Sequence, residues 1–322
     1  MSKIFISVFA KEFEDYLAFI QKSNKTIKHV RSVLKRFDCF LVSQDICEKK
    51  LPKSLIYQWI SSQQVKNITK KTILRRLIGF LKYLVAMGYK NIEFPEVPKA
   101  DSSEYVPHIF SEDEFLRIIN FVDCYSEKTL NTQMVVVLPV LIRLLYSSGI
   151  RLGEALLLRW CDIVLEDGII RILLGKNLKQ RQIPLSHSMS NLLRIFRSSV
   201  FFKSDKDYLF ANKHGKPYSQ TAIQNNFAKI LKLADIPNIK TQKFERGVCL
   251  HCFRHTFVVH SFLQADLEGR SFEESVPYIS TYLGHESIME TDKYLRANYL
   301  MYTSEHEKIN EYTNSVFPEV IF

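Results

Sequence analysis

Apolar residues recur at helical spacing through residues 5–88 of this 322-residue chain. Phe9, Phe13 and Leu17 are four residues apart, which places them on one face of a helix that we predict over residues 5–21. The same periodicity, bounded by caps and breakers, predicts helices over residues 24–43 and 52–63 and a fourth from Asn67 to Gly88. Four short helices with apolar inner faces predict a compact bundle.

The second and fourth of these helices carry basic side chains opposite their apolar faces. A row of Lys and Arg along a helix favours contact with a polyanion such as DNA, although a solvated helix surface has the same pattern. The candidate DNA-binding residues are Lys25, Lys28, Arg31 and Lys35 on the second helix, and Lys70, Lys71, Arg75 and Arg76 on the fourth.

A segment with three prolines and no apolar periodicity covers residues 95–107, with the sequence PEVPKADSSEYVP. Proline and short polar residues in a run are typical of linkers. We therefore predict a first domain over residues 1–94, a linker over 95–107 and a second domain over 108–322.

The second domain mixes helical and alternating patterns. Ser111 followed by Glu114 is a capping-box signature and predicts a helix over residues 111–122. An almost continuous apolar run over 138–147 predicts a buried helix. Further helices are predicted over 151–160, 219–234 and 254–264, and short strands over 162–164, 168–174, 181–185 and 209–210. The predicted fold is therefore mainly α, with one small sheet in the second domain.

The charge of the chain is concentrated in its first third. Residues 1–100 contain 19 Lys and Arg against 8 Asp and Glu, whereas residues 101–322 contain 25 against 26. Such a basic region favours a polyanionic partner, and binding through phosphates would weaken as salt rises. The asymmetry supports the two basic helix faces as a nucleic-acid surface.

Other compositional features exclude some classes of protein. The chain has no run of eighteen apolar residues, so we predict no membrane span. Its six cysteines show no disulfide framework, which favours a reducing, cytoplasmic location. Cys249 and Cys252 form a C-x-x-C pair, but zinc would need a second ligand pair, and none has suitable spacing.

Four segments of the second domain contain side chains that suit a phosphate. They read SGIRLGE at 148–154, LGK at 174–176 with RQIPL at 181–185, LHCFRH at 250–255 and LGH at 283–285, the last followed by Tyr294. An arginine fork donates two parallel charge-assisted hydrogen bonds, and two arginines can stabilise a pentacoordinate phosphate without a metal. A tyrosine can attack phosphorus, and a lysine on a hairpin turn can protonate a departing sugar oxygen.

Residue type alone leaves two of these assignments open. Lys179 is predicted on the same turn as Lys176 and could serve as the acid. The candidate nucleophile Tyr294 has three competitors at Tyr282, Tyr299 and Tyr302.

The order of these motifs resembles that of the tyrosine recombinases, the family that includes phage integrases and the Xer recombinases. The resemblance covers essentially the whole chain. It implies a helical, SAM-like core-binding domain, a linker and an α+β catalytic domain with a small antiparallel sheet. It also implies a site-specific recombinase that cuts and rejoins DNA through a 3′-phosphotyrosine intermediate and a Holliday junction.

The resemblance assigns roles to two residues of the first motif and to two residues of the third. Arg151 and Arg254 would clamp the scissile phosphate. Glu154 matches an acidic position one turn after the first arginine and would support that arginine. His251 would hydrogen-bond the phosphate and assist proton transfer.

The remaining roles fall on the second and fourth motifs. The resemblance makes Tyr294 the nucleophile, by its nine-residue distance from His285. Lys176 would protonate the 5′ leaving oxygen, and Lys179 would then be a solvated turn residue or a phosphate contact. His285 would hydrogen-bond the phosphate and assist proton transfer. Because the phosphotyrosine bond preserves the energy of the broken link, the resemblance implies no ATP, metal or other cofactor.

The resemblance also implies partners. We expect a double-stranded recombination site as the DNA and four protomers, identical or of two kinds, on two duplexes. The apolar residues 316–322 are expected to pack on a neighbouring protomer, with packing on their own domain as the alternative. Two other functions remain open: a type IB topoisomerase-like nicking and closing enzyme, and a DNA-binding accessory protein without catalysis.

One spacing departs from the family pattern. Arg254 and His285 are 31 residues apart, which is longer than usual. The additional length is expected within residues 264–277, and it resembles mobile-element recombinases more than chromosome-dimer resolvases.

Overall fold

The computed structural model of the chain describes residues 5–22, 27–97, 107–124, 132–173, 180–200, 204–237 and 247–284. The chain divides into two compact units, Met1–Glu104 and Tyr105–Phe322. Residues 98–106, most of the predicted linker, lie outside the described part.

The described residues of the first unit form a bundle around an aromatic core. The Phe13 and Phe80 rings lie 4.6 Å apart, and the Phe37 and Trp59 rings lie 4.8 Å apart. All four side chains are buried, and aromatic pairs of this kind contribute large apolar areas to a core. The helices of the bundle are α1 (Ala10–Lys22), α2 (Lys28–Ser43), α3 (Lys53–Ser62) and α4 (Asn67–Ala86).

The first helix begins later than the apolar spacing predicts. α1 starts at Ala10 rather than near residue 5. The buried Asp38 carboxylate accepts the backbone N–H groups of Ile6 and Ser7, at 2.9 Å each. These bonds hold the segment before α1 against α2 in a non-helical conformation, so the prediction of a helical start there is wrong.

The second unit combines helices with a three-stranded antiparallel sheet, as its pattern predicts. The sheet order is β1-β2-β3, and Ile170 pairs with Ile183 in its buried centre. The strands are β1 (Ile163–Val164), β2 (Ile169–Ile172) and β3 (Arg181–Pro184). The helices are α5 (Glu112–Asp123), α6 (Thr132–Ser148), α7 (Leu152–Ala155), α8 (His187–Ser199), α9 (Gln220–Leu233), α10 (His251–Leu267) and α11 (Phe272–Leu283).

The helix predicted over residues 151–160 is wrong in length. α7 ends at Ala155, a turn follows, and residues 158–160 then lie beside residues 207–209. Trp160 N–H donates to the Asp207 carbonyl at 3.1 Å, and Leu209 N–H donates to the Leu158 carbonyl at 2.8 Å. This pairing uses the backbone groups that a longer helix would need. It also replaces the strand predicted at 209–210 with isolated bridges.

Two helices, α8 and α11, were missed by the apolar pattern. Each begins at a serine cap: the Ser186 side chain accepts from Met189 N–H, and the Ser271 side chain accepts from Glu274 N–H. The long spacing between the third and fourth motifs is therefore explained. Residues 264–277 contain the end of α10, a turn and the first half of α11.

No helix within the described residues is long and apolar enough to cross a membrane.

Candidate active site

A sharp turn after α6 brings Arg151 to the start of α7. Gly149 has φ +59°, in the left-handed region that favours glycine. A Cβ at this position would lie 2.5 Å from Cδ1 of Phe257, so a side chain does not fit without movement of that ring. The turn places Arg151 at the junction of the two helices, with its side chain 23% exposed.

Arg254 lies in the first turn of α10 and is 2% exposed. Its Nη1 donates to the Gly149 carbonyl at 2.9 Å, and its Nη2 donates to the Leu283 carbonyl at 2.9 Å. A buried guanidinium is stable only when it is hydrogen-bonded, and these bonds account for two of its five N–H groups. Arg254 thereby joins the end of α6 to the end of α11.

Arg151 reaches the same backbone oxygen as Arg254. Its Nη1 lies 3.4 Å from the Leu283 carbonyl oxygen and 3.1 Å from Glu154 Oε1. The two arginines that the motifs single out therefore converge on one acceptor.

Glu154 is held between two arginines. Its side chain is 5% exposed, and it accepts from Arg151 N–H at 3.2 Å and from Arg181 Nη2 at 2.7 Å. Burial by itself would raise the pKa of the Glu154 carboxyl. The hydrogen bond and charge of Arg181, followed by those of Arg151, outweigh burial and hold that pKa below its ordinary value of 4.5. Glu154 is therefore ionised at neutral pH.

The depressed pKa of Glu154 predicts a contribution to acid stability. A carboxyl with a lower pKa in the folded state stabilises the fold above its unfolded pKa, and this contribution is lost as pH falls through the folded pKa. Glu154→Gln should therefore flatten the dependence of the unfolding free energy on pH below 4.5. The difference from wild type cannot exceed about 1.4 kcal/mol per pH unit, which is the limit for one proton. Urea unfolding at a series of pH values measures this slope.

Exposed Glu166 provides the control for this prediction. Glu166→Gln should keep the wild-type slope, since its side chain lies at the surface. Equal slopes for wild type and Glu154→Gln would contradict the assignment of Glu154 as an ionised, paired carboxylate.

Arg181 is a member of this cluster that belongs to the second motif but received no role from the sequence. In addition to Glu154, it contacts the end of α11, where its Nε donates to the Tyr282 carbonyl at 3.0 Å. The signal for it was present in the alternation of β3. Arg181 lies two residues before the buried Ile183, so both side chains occupy the inner face of the strand.

Tyr282, one of the tyrosines that compete with Tyr294 as the nucleophile, lies within the described residues and has another role. The Tyr282 hydroxyl donates to the Ser148 carbonyl at 3.0 Å, and its ring stacks on Phe257 at 5.3 Å between centroids. Burial raises the pKa of Tyr282 to about 12, although Arg181 and Arg254 oppose the shift. A phenol so engaged and so weakly acidic is poorly suited to attack phosphorus.

The predicted histidine of the third motif lies at the surface of the same helix turn. His251 is exposed, and its ring meets that of His255 edge to face at 4.8 Å between centroids. Nearby, Cys249 Sγ and Cys252 Sγ are 3.9 Å apart. No group of three or more His, Cys, Asp or Glu in the described part of the chain could hold a metal ion.

Several predicted residues fall outside the described part of the chain. They are Lys25, Lys176, Lys179, His285, Tyr294, Tyr299 and Tyr302. The remaining candidate DNA-binding residues lie on α2 and α4 in the first unit. Lys28, Lys35 and Arg75 are exposed there, and the half-exposed ones are Arg31, Lys70, Lys71 and Arg76.

Comparison with known proteins covers both units of the chain. Residues 109–301 match the model of the phage integrase family. The tyrosine recombinase XerC of Staphylococcus saprophyticus is 25% identical over 291 residues, 87% of this chain and 89% of that protein. XerC of Xylella fastidiosa strain M23 is 26% identical over 295 residues, 89% of this chain and 92% of that protein.

Solved structures share the fold. The XerH site-specific recombinase, in a post-cleavage complex with its palindromic difH substrate, aligns with a TM-score of 0.64 and 21% identity. That alignment covers 88% of this chain and 80% of XerH. A dimer of lambda integrase residues 75–356 on a core site aligns with a TM-score of 0.61 and 16% identity, over 88% of this chain and 96% of that chain.

Proposed function

Since the chain belongs to the phage integrase family and is a tyrosine recombinase that cuts and rejoins DNA at specific sites, we propose that Arg151 and Arg254 hold its scissile phosphate. One observation carries this proposal. Both guanidinium groups donate to the Leu283 carbonyl oxygen, at 3.4 and 2.9 Å. Two arginine side chains that donate to the same oxygen atom lie side by side, and this supports a shared role in binding one phosphate. Their positive charges would stabilise the charge that develops in the transition state.

The other catalytic roles follow the family pattern. Tyr294 Oη forms a bond to phosphorus while the bond from phosphorus to the 5′ oxygen breaks. Lys176 gives that oxygen its proton, while His251 and His285 hydrogen-bond the phosphate and accept the proton that Tyr294 loses. Attack by the 5′ hydroxyl of a partner strand, whose proton returns to Lys176, then releases Tyr294, which takes its proton back, and rejoins the DNA. The cycle therefore calls for no ATP or metal.

We propose that the first unit makes most of the DNA contacts. The proposed domains cover residues 1–94 and 108–322. The exposed Lys28, Lys35 and Arg75 support this role because they extend from α2 and α4 toward solvent. The structurally similar XerH recombinase is bound to a palindromic difH substrate, and lambda integrase is bound to a core site. We place four protomers on two duplexes in the cytoplasm, with residues 316–322 exchanged between neighbours.

A nicked suicide duplex tests the nucleophile. The duplex is selected from a random-sequence pool by repeated binding to the protein, and a nick beside the cleavage position lets the short 5′ fragment diffuse away. Wild type should accumulate a covalent protein–DNA complex, and peptide mapping should place the DNA on Tyr294. Tyr294→Phe should form no such complex.

Tyr282→Phe is the matched control. It removes the hydroxyl that donates to Ser148 and should cost about 1 kcal/mol of stability while leaving the covalent complex intact. A covalent complex formed by Tyr294→Phe would move the nucleophile to another residue. Repeated relaxation of supercoiled DNA without exchange of strands would favour the nicking and closing alternative.

A further inference from the structure

Arg181 has no role in the mechanism proposed above, yet its side chain is fixed on three sides. It is the first residue of β3 and is 10% exposed. Nη1 and Nη2 donate to the two carboxylate oxygens of Glu154 at 3.2 and 2.7 Å, and Nε donates to the Tyr282 carbonyl at 3.0 Å. A bidentate ion pair with a third bond from Nε fixes the guanidinium plane.

The two groups that Arg181 holds are the ones that position Arg151. Glu154 accepts from Arg151 Nη1 at 3.1 Å, and the Leu283 carbonyl accepts from the same nitrogen at 3.4 Å. Arg181 binds Glu154 directly, and it binds Leu283 through the preceding carbonyl of Tyr282. Any shift of Arg181 is therefore transmitted to both acceptors of Arg151.

The chain after α11 also packs on Arg181. Gly284 has φ +64°, and a Cβ there would lie 3.3 Å from both Cδ and Nη1 of Arg181. The glycine of the fourth motif thus permits a close approach between this backbone and the guanidinium. The next residue along the chain is His285, for which a role at the phosphate is proposed.

We propose that Arg181 is a positioning residue that orients Arg151 through Glu154 and through the Tyr282–Leu283 backbone. The inference rests on the phosphate clamp proposed above. A purely structural ion pair would have the same hydrogen bonds but would change only stability when removed. A positioning residue must change the rate of cleavage in protein that remains folded and bound to DNA.

The first test compares Arg181→Gln and Arg181→Lys with wild type on the nicked suicide duplex. The expected result is a single-turnover cleavage rate about 10²-fold lower for both variants, since small displacements of a catalytic group have effects of this size. Lysine keeps the charge but loses the planar fork. Affinity for intact duplex and cooperative unfolding, measured in parallel, should remain close to wild type.

Arg171 is the matched control within the sheet. It is exposed on β2 and pairs in register with Gln182 of β3. Arg171→Gln should leave the cleavage rate unchanged.

The dependence of the cleavage rate on pH distinguishes a positioning role from a purely structural one, because a structural role would leave it unchanged. Among the described residues, the charged groups hydrogen-bonded to Glu154 are Arg151 and Arg181. In Arg181→Gln, burial of Glu154 is opposed by Arg151 alone, so cleavage should fall off on the acid side at a higher pH than in wild type. Adding Glu154→Gln should remove that shift and slow cleavage no further than the slower single variant.

The outcomes separate this inference from the proposed function. A wild type that forms no covalent complex would overturn both. A wild type that cleaves, with Arg181 variants that cleave equally fast or that lose only folded protein, would overturn the positioning role alone. If neither variant folds, Arg181 is structural and the proposal is likewise overturned.

Discussion

Replacing Arg254 by alanine is expected to slow DNA cleavage about 10³-fold in single-turnover reactions, because loss of one preorganised donor to a developing charge costs roughly 10²–10³ in rate. Arg254 holds two backbone segments as well as the proposed phosphate, so the effect should lie at the upper end of that range. The measurement is the rate of covalent complex formation on the nicked suicide duplex.

The same change should also weaken the fold. The Gly149 and Leu283 carbonyls, each 2.9 Å from a guanidinium nitrogen, would lose these buried donors. Together with the volume of the lost side chain, we expect a loss of about 3 kcal/mol in the free energy of unfolding. Urea unfolding followed by circular dichroism measures it, and cleavage is compared at a temperature where both proteins are folded.

Two further variants make this prediction specific. Arg254→Lys keeps the charge, but a single ammonium lacks the planar fork that spans both carbonyls, so cleavage should remain about 10²-fold slow. Arg143→Ala removes a surface fork that binds the Asp123 carboxylate at 2.8 and 2.6 Å. It should change stability by about 0–1 kcal/mol and leave cleavage intact. Unimpaired cleavage by Arg254→Ala would show that the phosphate is held elsewhere.

Gly149→Ala is expected to be the most damaging single-methyl change in the turn that carries Arg151. The residue has φ +59°, which costs an L-residue about 1–2 kcal/mol. The added Cβ would also lie 2.5 Å from Cδ1 and 2.8 Å from Cγ of Phe257. That ring stacks on Tyr282, whose hydroxyl bonds the residue before the glycine. Relief of the overlap therefore displaces the whole turn.

We expect Gly149→Ala to lower the free energy of unfolding by about 3 kcal/mol, from backbone strain and overpacking together. Cleavage should fall as well, because the Gly149 carbonyl is an acceptor of Arg254. Thermal and urea unfolding, with cleavage measured on the folded fraction, test both effects.

Gly215→Ala separates the two causes. Gly215 has φ +70°, but a Cβ there would meet nothing within 4 Å. This variant should show the backbone cost alone, about 1 kcal/mol, with cleavage unchanged. Equal losses for the two variants would mean that Phe257 moves aside freely and that the turn is not closely packed.

The sequence predicted best those elements whose signals are local. The Ser111 and Glu114 capping box appears as predicted, and α4 begins at Asn67. The predicted α7 was too long because the residues that follow the helix pair with residues 207–209, and no local pattern reveals this pairing. α11 carried a capping box at Ser271 and Glu274, but the internal Pro277 concealed it.

The active site divides in the same way. Motif spacing identified Arg151, Glu154 and Arg254, and the structure brings these three together. Arg181 lies in the second motif but received no role, because its contacts are with acceptors in α7 and α11, which are distant in sequence. An inward-facing arginine in a short strand is recognisable only when the alternation of burial is read together with charge.

The arginines of this site take most of their acceptors from the main chain. The Gly149, Tyr282 and Leu283 carbonyls belong to the peptide backbone. Apart from the glycine that the turn at residue 149 requires, these acceptors do not depend on which side chain stands at their positions. During divergence, therefore, residues around the acceptors can drift while the hydrogen bonds persist, provided that the chain keeps its course. Such a site constrains residue identity mainly at the positions of its arginine donors, because a backbone acceptor places little constraint on the side chain at its own position.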